Sequence, residues 1–347
     1  MYARPIHVVA FLILVLGAWS TAVPDSYTEL MQTMGGFRES RVLLTAVELD
    51  IFTAVGTGAK ASQVASKLGT NPRSTESLLN ALVAMGALTK KDDVFRNTPD
   101  TARYLVAGSP EYARPALMHT VQMWTSWNRL TDSVRQGTAA VSPRVETDDE
   151  EWTASFIAAM HRNAEGAAAR LVEAVGASGV RRLLDIGGGS GAYSIAFAKA
   201  NRGLRAEVLD LTSVVPIAEK HIAEAGLADR VITRVGDLRQ DEFGKEYDLI
   251  LLSAICHMLG PEENQDLFSR CYRALARDGR LVIRDFILEP DKTAPKSAAL
   301  FALHMLVNTQ NGSTYTAEEY ASWLAAAGFQ ETERLDPSGD LIVATRR

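Results

Sequence analysis

The chain has 347 residues, of which 47% are hydrophobic and 22% charged, and a formal net charge of −6. That length accommodates one large or two ordinary domains, and the acidic balance argues against a protein that coats nucleic acid. Two cysteines, Cys256 and Cys271, are too few for a disulfide framework or a cysteine-based zinc site; they suit a reducing compartment, and no metal centre is expected.

Residues 8–18 form an unbroken apolar run behind Arg4, with small residues following up to Pro24. The run has the layout of a short signal peptide and is too short for a comfortable membrane span. An export signal, a membrane-dipping anchor and an extra leader all fit it. The rest of the chain looks like a user of cytosolic small molecules, so the expected location of the body is cytoplasmic, with residues 1–26 set apart as an apolar leader.

Residues 27–108 read as a small helical domain. Leu43, Leu44, Val47, Leu49, Ile51 and Phe52 cluster ahead of Gly56, and residues 61–69 form a short helix with a glycine stop. Thr70-Asn71-Pro72 opens the next helix, over 74–85, with Leu78, Leu79, Leu82 and Val83 at helical spacing; residues 88–98 form a hairpin. Helix, turn, helix and hairpin make a winged-helix layout. The would-be recognition helix carries Glu76 and neither Lys nor Arg, so a structural or dimerising role is preferred to DNA binding.

Residues 109–176 read as a helical connector. Met123, Trp124 and Trp127 bring large apolar side chains together, and the two tryptophans share one helix face. Core packing is the ordinary reading of that stripe, and a wall of a substrate pocket is the sharper one. Residues 142–151 make a polar, acidic loop. From the helix over 152–176, Met160 and His161 can reach a nucleotide pocket.

From residue 177 onward strands and helices alternate. Strands are expected over 182–186, 206–211, 231–235, 247–253 and 280–286, with helices over 191–201, 215–226 and 262–276. A helix over 316–327 and two strands, 331–335 and 341–345, joined by a turn at 336–340, close the chain. Near-continuous apolar strands separated by helices mean a parallel sheet covered on both faces. The expected class is therefore α/β: a doubly wound, Rossmann-like, seven-stranded sheet whose last strand is antiparallel.

The stretch Leu183-Leu184-Asp185-Ile186-Gly187-Gly188-Gly189-Ser190-Gly191 joins the first strand of that sheet to its helix. Gly187, Gly189 and Ala192 satisfy the dinucleotide fingerprint; Gly187, Gly189 and Gly191 equally satisfy the looser pattern of S-adenosylmethionine enzymes. Asp185 helps to choose, because a carboxylate there repels a pyrophosphate and can pair with an ammonium group. Asp210, ending the second strand beside Leu211, can accept ribose hydroxyls. Asp237 can take an adenine amine, with Leu238 on the ring. Each acid read alone is an ordinary strand-end carboxylate; together they favour a phosphate-free adenosine over NAD(P).

The fourth strand ends in Ser253-Ala254-Ile255-Cys256-His257. A histidine facing the crevice there suits proton abstraction from a phenol-like hydroxyl, and Asp285 can orient it. Cys256 and His257 are strand neighbours expected to face opposite ways, which disfavours a Cys–His nucleophilic pair.

Over residues 27–347 these motifs resemble the S-adenosylmethionine-dependent O-methyltransferases typified by the plant caffeic acid and acetylserotonin enzymes and their bacterial relatives. The resemblance implies a homodimer built through the winged-helix domain, and a methyltransferase domain over 177–347. It implies cofactor contacts from Asp185, Gly187, Gly189, Gly191, Asp210, Leu211, Asp237, Leu238 and Ser253. His257 becomes the expected base, held by Asp285, acting on a hydroxyl of a small aromatic acceptor. Met123, Trp124, Met160, Phe301, His304, Met305 and Asn308 are the expected acceptor pocket. Three positions depart from the family pattern. Thr314 stands where a second orienting glutamate is usual, Ser253 replaces a lysine, and Met258-Leu259 replaces a tryptophan. The alternatives are a non-methylating S-adenosylmethionine enzyme of hydroxylase or decarboxylase type, an NAD(P) oxidoreductase, and a winged-helix regulator.

Overall fold

The computed structural model describes residues 26–141, 150–335 and 340–347; the expected leader (1–26), acidic loop (142–151) and closing turn (336–340) fall wholly or mostly outside them. The chain divides into two compact units, one up to Met123 and one from Trp124.

The first unit contains helices α1 (Tyr27–Gly35), α2 (Phe37–Glu48) and α3 (Ile51–Val55), the short strand β1 (Ala59–Lys60), and helices α4 (Ala61–Leu68) and α5 (Pro72–Ala84). Strands β2 (Leu88–Lys91) and β3 (Val94–Asn97) form the hairpin, and α6 (Pro99–Leu105) follows. Helix α7 (Arg114–Trp127) runs across the division between the units. The expected winged-helix layout is present, with β1 added to the hairpin as a third strand, in the order β1-β3-β2. Local chemistry sets the boundaries. Asn71 accepts the Ser74 N–H ahead of Pro72 at the start of α5, and Gly69 ends α4 in a left-handed conformation. Ile51, Phe52, Val64, Leu79, Leu82, Leu88 and Phe95 form the buried centre. Asn97 ties the hairpin to α3, its amide donating to the carbonyls of Phe52 and Gly56 at 2.9 Å each.

The second unit begins with α8 (Leu130–Gln136) and the long α9 (Glu150–Val175). The alternating part follows: β4 (Arg182–Ile186), α10 (Ala192–Ala200), β5 (Arg205–Asp210), α11 (Val215–Glu224), β6 (Val231–Val235), β7 (Tyr247–Ser253), α12 (Pro261–Ala274) and β8 (Leu275–Arg284). Then come β9 (Ile287–Leu288), α13 (Lys296–Asn308), β10 (Tyr315–Thr316), α14 (Ala317–Ala326), β11 (Glu331–Arg334) and β12 (Leu341–Thr345). The seven-stranded sheet has the order β11-β12-β8-β7-β4-β5-β6. Strand β12 is antiparallel to both neighbours, and the other pairings are parallel. Apolar side chains alternate between two cores: Leu183, Val208, Leu249, Leu251 and Val282 face one, and Leu184, Ile186, Ile250, Leu252 and Ile283 the other. Burial on both faces is why these strands read as nearly continuous apolar runs.

Two expectations are corrected. Strand β8 begins at Leu275, five residues ahead of the expected 280, and ends at Arg284, which leaves Asp285 just beyond it. His257 is not on a strand: β7 stops at Ser253, Ala254 turns left-handed at φ 59°, and Cys256–Met258 form a 3-10 turn. Among the described residues no helix is long and apolar enough to cross a membrane.

Removing the Asn97 amide takes a donor from two partly buried carbonyls, of which only that of Phe52 keeps another, the Gly56 N–H. Asn97→Ala is therefore expected to cost about 2 kcal/mol, read as a lower melting temperature and denaturation midpoint; an unchanged midpoint would show that the hairpin is held by packing alone.

Candidate active site

The chain runs from β4 outward through β5 to β6, then returns to place β7 on the other side of β4. The crevice at that reversal is where open α/β sheets bind ligands. Two segments lie at its edge: the glycine turn after β4, and the 3-10 turn after β7.

The glycine turn is crowded. Gly187, Gly189 and Gly191 all have left-handed φ, at 65°, 58° and 74°. A β-carbon on Gly187 would overlap the Ile255 side chain, and one on Gly188 would lie 2.8 Å from the Asp185 carboxyl carbon and 2.9 Å from Val208. Bare backbone is thus the only fit, and it leads into the N-terminus of α10, whose cap Gly191 offers no side chain. The Gly189 N–H donates to Asp210 Oδ2 at 2.8 Å, and the Leu211 N–H donates to Asp210 Oδ1 at 2.8 Å. Asp210 therefore also holds the turn, and each of its oxygens keeps a second lone pair for a hydroxyl.

Asp185 is fully buried. Its Oδ2 accepts the Ser194 hydroxyl at 2.8 Å, while Oδ1 has no hydrogen-bond partner. Burial, reinforced by the nearby Asp210 carboxylate, pushes the Asp185 carboxyl up to about 7. Burial also raises Asp210, against the two N–H groups it accepts. An orphaned acceptor in a glycine cradle fits a ligand that brings its own positive group and no phosphate. Leu238 lies close to Gly187 and packs into the same core as Ile255. Asp237 accepts the Arg239 N–H and the Gln240 side-chain amide at 2.9 and 2.7 Å. The Ser253 hydroxyl is buried without a partner.

The second segment carries His257, which is 5% exposed. Its Nδ1 lies 2.5 Å from Asp285 Oδ1, and its backbone N–H donates to Oδ2 at 3.0 Å. The Phe286 N–H adds a third donor to the same carboxylate at 2.8 Å. An ionised carboxylate only accepts, so Nδ1 carries the proton and Nε2 the lone pair. The 3-10 turn is itself clamped by Asn264 of α12, whose amide donates to the carbonyls of Cys256, Leu259 and Gly260 at 3.0–3.2 Å. Gly312 packs directly on the His257 carbonyl.

Aromatic side chains continue from the imidazole. Phe301 meets His257 edge-on at 4.8 Å, Phe286 stacks on Phe301 at 3.8 Å, and His304 lies 5.2 Å from Phe301. The Trp127 indole N–H donates to His304 Nδ1 at 3.0 Å, and the Asn308 amide lies 3.1 Å from the same nitrogen. His257, Asp285, Phe301, His304 and Asn308 are thus one connected group. Met305 is buried on the same helix. Trp124 and Met160 are half-buried in this unit, whereas Met123 belongs to the N-terminal unit. Sequence reasoning missed Phe286, Ile255 and Asn264. Cys256 is fully buried, and burial pushes its thiol well up, so it is no nucleophile. Thr314 is buried and donates to the Ala298 carbonyl at 3.1 Å. A cavity of about 340 Å³ opens between α9 and α11, lined by Ala154, Ala158, Pro216, Ile217, Lys220 and His221; none of the expected cofactor or base residues lines it.

The chain belongs to the O-methyltransferase family. The family's O-methyltransferase domain matches residues 127–330, and its dimerisation domain matches residues 31–107. The 3-hydroxy-5-methyl-1-naphthoate 3-O-methyltransferase of Streptomyces sahachiroi is 33% identical over 328 residues, covering 91% of this chain and 94% of that protein. Acetylserotonin O-methyltransferase of Bos taurus is 30% identical over 346 residues, covering 93% and 98%. The solved structure of PigF with SAH superposes with a TM-score of 0.85 at 26% identity, covering 93% of this chain and 99% of that one. S-adenosylmethionine is the methyl donor of the family.

Asp185 makes the ligand-free fold pH-dependent. Its folded carboxyl keeps a proton up to about pH 7, whereas a free aspartate ionises near 3.8. The folded state therefore binds more protons, and stability falls as pH rises across that interval. Asp185→Asn never ionises, so its melting temperature is expected to gain on that of the unsubstituted protein between pH 4 and pH 8. A difference that stays flat with pH would contradict this.

Proposed function

We propose that the protein transfers the methyl group of S-adenosylmethionine to a hydroxyl of a small aromatic acceptor, with His257 as general base. The observation that carries the base assignment is the buried Asp285–His257 pair, which leaves the Nε2 lone pair beside an aromatic wall. The relatives' naphthoate and acetylserotonin acceptors support the substrate class.

Asp185 Oδ1 receives the ammonium end of the cofactor, Asp210 the ribose hydroxyls, Asp237 the adenine amine and Leu238 the adenine face. Gly187, Gly189 and Gly191 let the cofactor approach bare backbone, their own N–H groups being spent on Leu209, Asp210 and Gly188, and Leu211 and Ser253 border the same site. When bound, S-adenosylmethionine supplies a methyl group already made electrophilic by its sulfonium. The protein's task is then alignment, exclusion of water and removal of one proton. His257 takes the acceptor's hydroxyl proton at Nε2, and Asp285 holds the ring in the right tautomer and stabilises the imidazolium that forms. Thr314 commits its hydroxyl to a backbone carbonyl, so Asp285 orients the imidazole without a second carboxylate from that position. Phe301, His304, Met305 and Asn308 of α13, with Trp124 and Met160, line the acceptor site. Residues 27–108 pair two copies into a homodimer, residues 109–176 connect, and residues 177–347 hold the cofactor. The body works in the cytoplasm, behind the leader of residues 1–26.

The test is to incubate the protein with S-adenosylmethionine and simple phenols and to weigh the products. A gain of one methyl on oxygen is expected; tight NAD binding or an oxidised product would defeat the reading. His257→Ala is expected to keep its affinity for S-adenosylhomocysteine and to lose about two orders of magnitude or more in kcat. Unchanged turnover would remove His257 from the mechanism and leave alignment alone.

A further inference from the structure

Helix α9 reaches the glycine turn through a polar contact that the mechanism above does not use. His161 Nδ1 lies 2.8 Å from Ser190 Oγ, and Ser190 is only 3% exposed between the left-handed Gly189 and Gly191. The other ring nitrogen, Nε2, lies 3.4 Å from Glu165, one turn along the same helix. With the proton on Nε2, facing that carboxylate, the Nδ1 lone pair receives the Ser190 hydroxyl. The imidazole also stacks on His221 of α11, with ring centres 3.9 Å apart. Burial, then the adjoining His161 ring, holds the His221 imidazole below its ordinary value. One side chain therefore spans α9, the glycine turn and α11.

The turn needs such a tether. Glycines in left-handed conformation have the most freedom to lose, and no side chain caps the helix that follows. From the sheet side Asp210 holds the Gly189 N–H. From the helix side Ile157 packs one turn before His161, within contact of the Gly189 β position, but provides no direction. The Ser190 hydroxyl is the directional handle on that side, and His161 holds it.

We propose that His161 is a positioning residue for the cofactor, fixing the glycine turn in its receiving conformation through the Ser190 hydroxyl. The proposal rests on the reading that this turn holds S-adenosylmethionine.

Two substitutions separate the hydrogen bond from the packing. His161→Asn keeps a hydrogen-bonding atom at the δ position and loses the ring. His161→Phe keeps a ring to stack on His221 and loses the hydrogen bond. Calorimetric titration with S-adenosylhomocysteine is expected to show about fivefold weaker binding for His161→Phe, and binding within about twofold of the unsubstituted protein for His161→Asn. Ser190→Ala is expected to weaken binding by the same factor, and the Phe–Ala double variant by no more than either single change. In turnover assays the KM for S-adenosylmethionine should rise while kcat and the acceptor KM hold. Binding by His161→Phe equal to the parent overturns the proposal. So does Asn as weak as Phe, or full additivity with Ser190→Ala. Should His161→Phe fail to fold, Ser190→Ala decides, and unchanged affinity there overturns it. A parent protein that does not bind S-adenosylhomocysteine sinks the reading of the turn itself; a parent that binds, with variants that bind as well, sinks the positioning role alone.

Discussion

Space for a β-carbon is missing at Gly187 and Gly188, and much of the cofactor crevice follows from that crowding. Ile255 fills the volume on one side, and Asp185 and Val208 fill it on the other. Only bare backbone passes between them, so a ligand at this turn meets main chain instead of side chains. The same crowding keeps water from Asp185 and leaves one of its oxygens without a donor. The Ile255 side chain is shared: it walls the glycine turn and lies two residues ahead of the imidazole. The glycine turn and the 3-10 turn that carries His257 are thereby built from one packed unit.

The 3-10 turn is organised around the Asp285 carboxylate. Three N–H groups converge on it, two from His257 and one from Phe286. With the carboxylate so held, the imidazole has one tautomer and one orientation before any acceptor arrives. Asn264 adds a clamp from α12 on the turn's carbonyls, which fixes the backbone that the imidazole hangs from. Preorganisation of this kind suits a reaction whose electrophile is activated in advance, because placement and proton removal are what remain.

The legible parts of the sequence were those with a local cause. Strands β4, β7 and β12 matched their apolar runs to the residue, because each is largely buried and paired on both edges; β6 matched too, although it is the sheet's edge strand and leaves Ile232 and Val235 exposed. The glycine turn and its acids were legible because glycine spacing and strand-end carboxylates are local too. The departure at His257 came from Ala254: a non-glycine residue in left-handed conformation stops the strand, and an apolar run gives no sign of it. The early start of β8 rests on a register shift against β7 near Tyr247, a property of the pair and not of either segment. Helix α13 hid because apolar residues surround it from Ala298 to Val307, without the contrast between faces that periodicity needs. Phe286 packs on Phe301 15 positions away, His161 meets Ser190 29 positions away, and Asn264 reaches Cys256 only because α12 folds back on the 3-10 turn, so no spacing rule reaches them.

Both sulfhydryls of the chain lie in the dry interior, at 0% exposure, and burial raises each well above the range in which thiolate forms. Alkylating agents and peroxides attack cysteine as the thiolate, so the two folded thiols give them almost nothing to attack. Chemical ageing through cysteine must wait for the polypeptide to open. The rate at which these thiols are modified is therefore a measure of how often the protein unfolds.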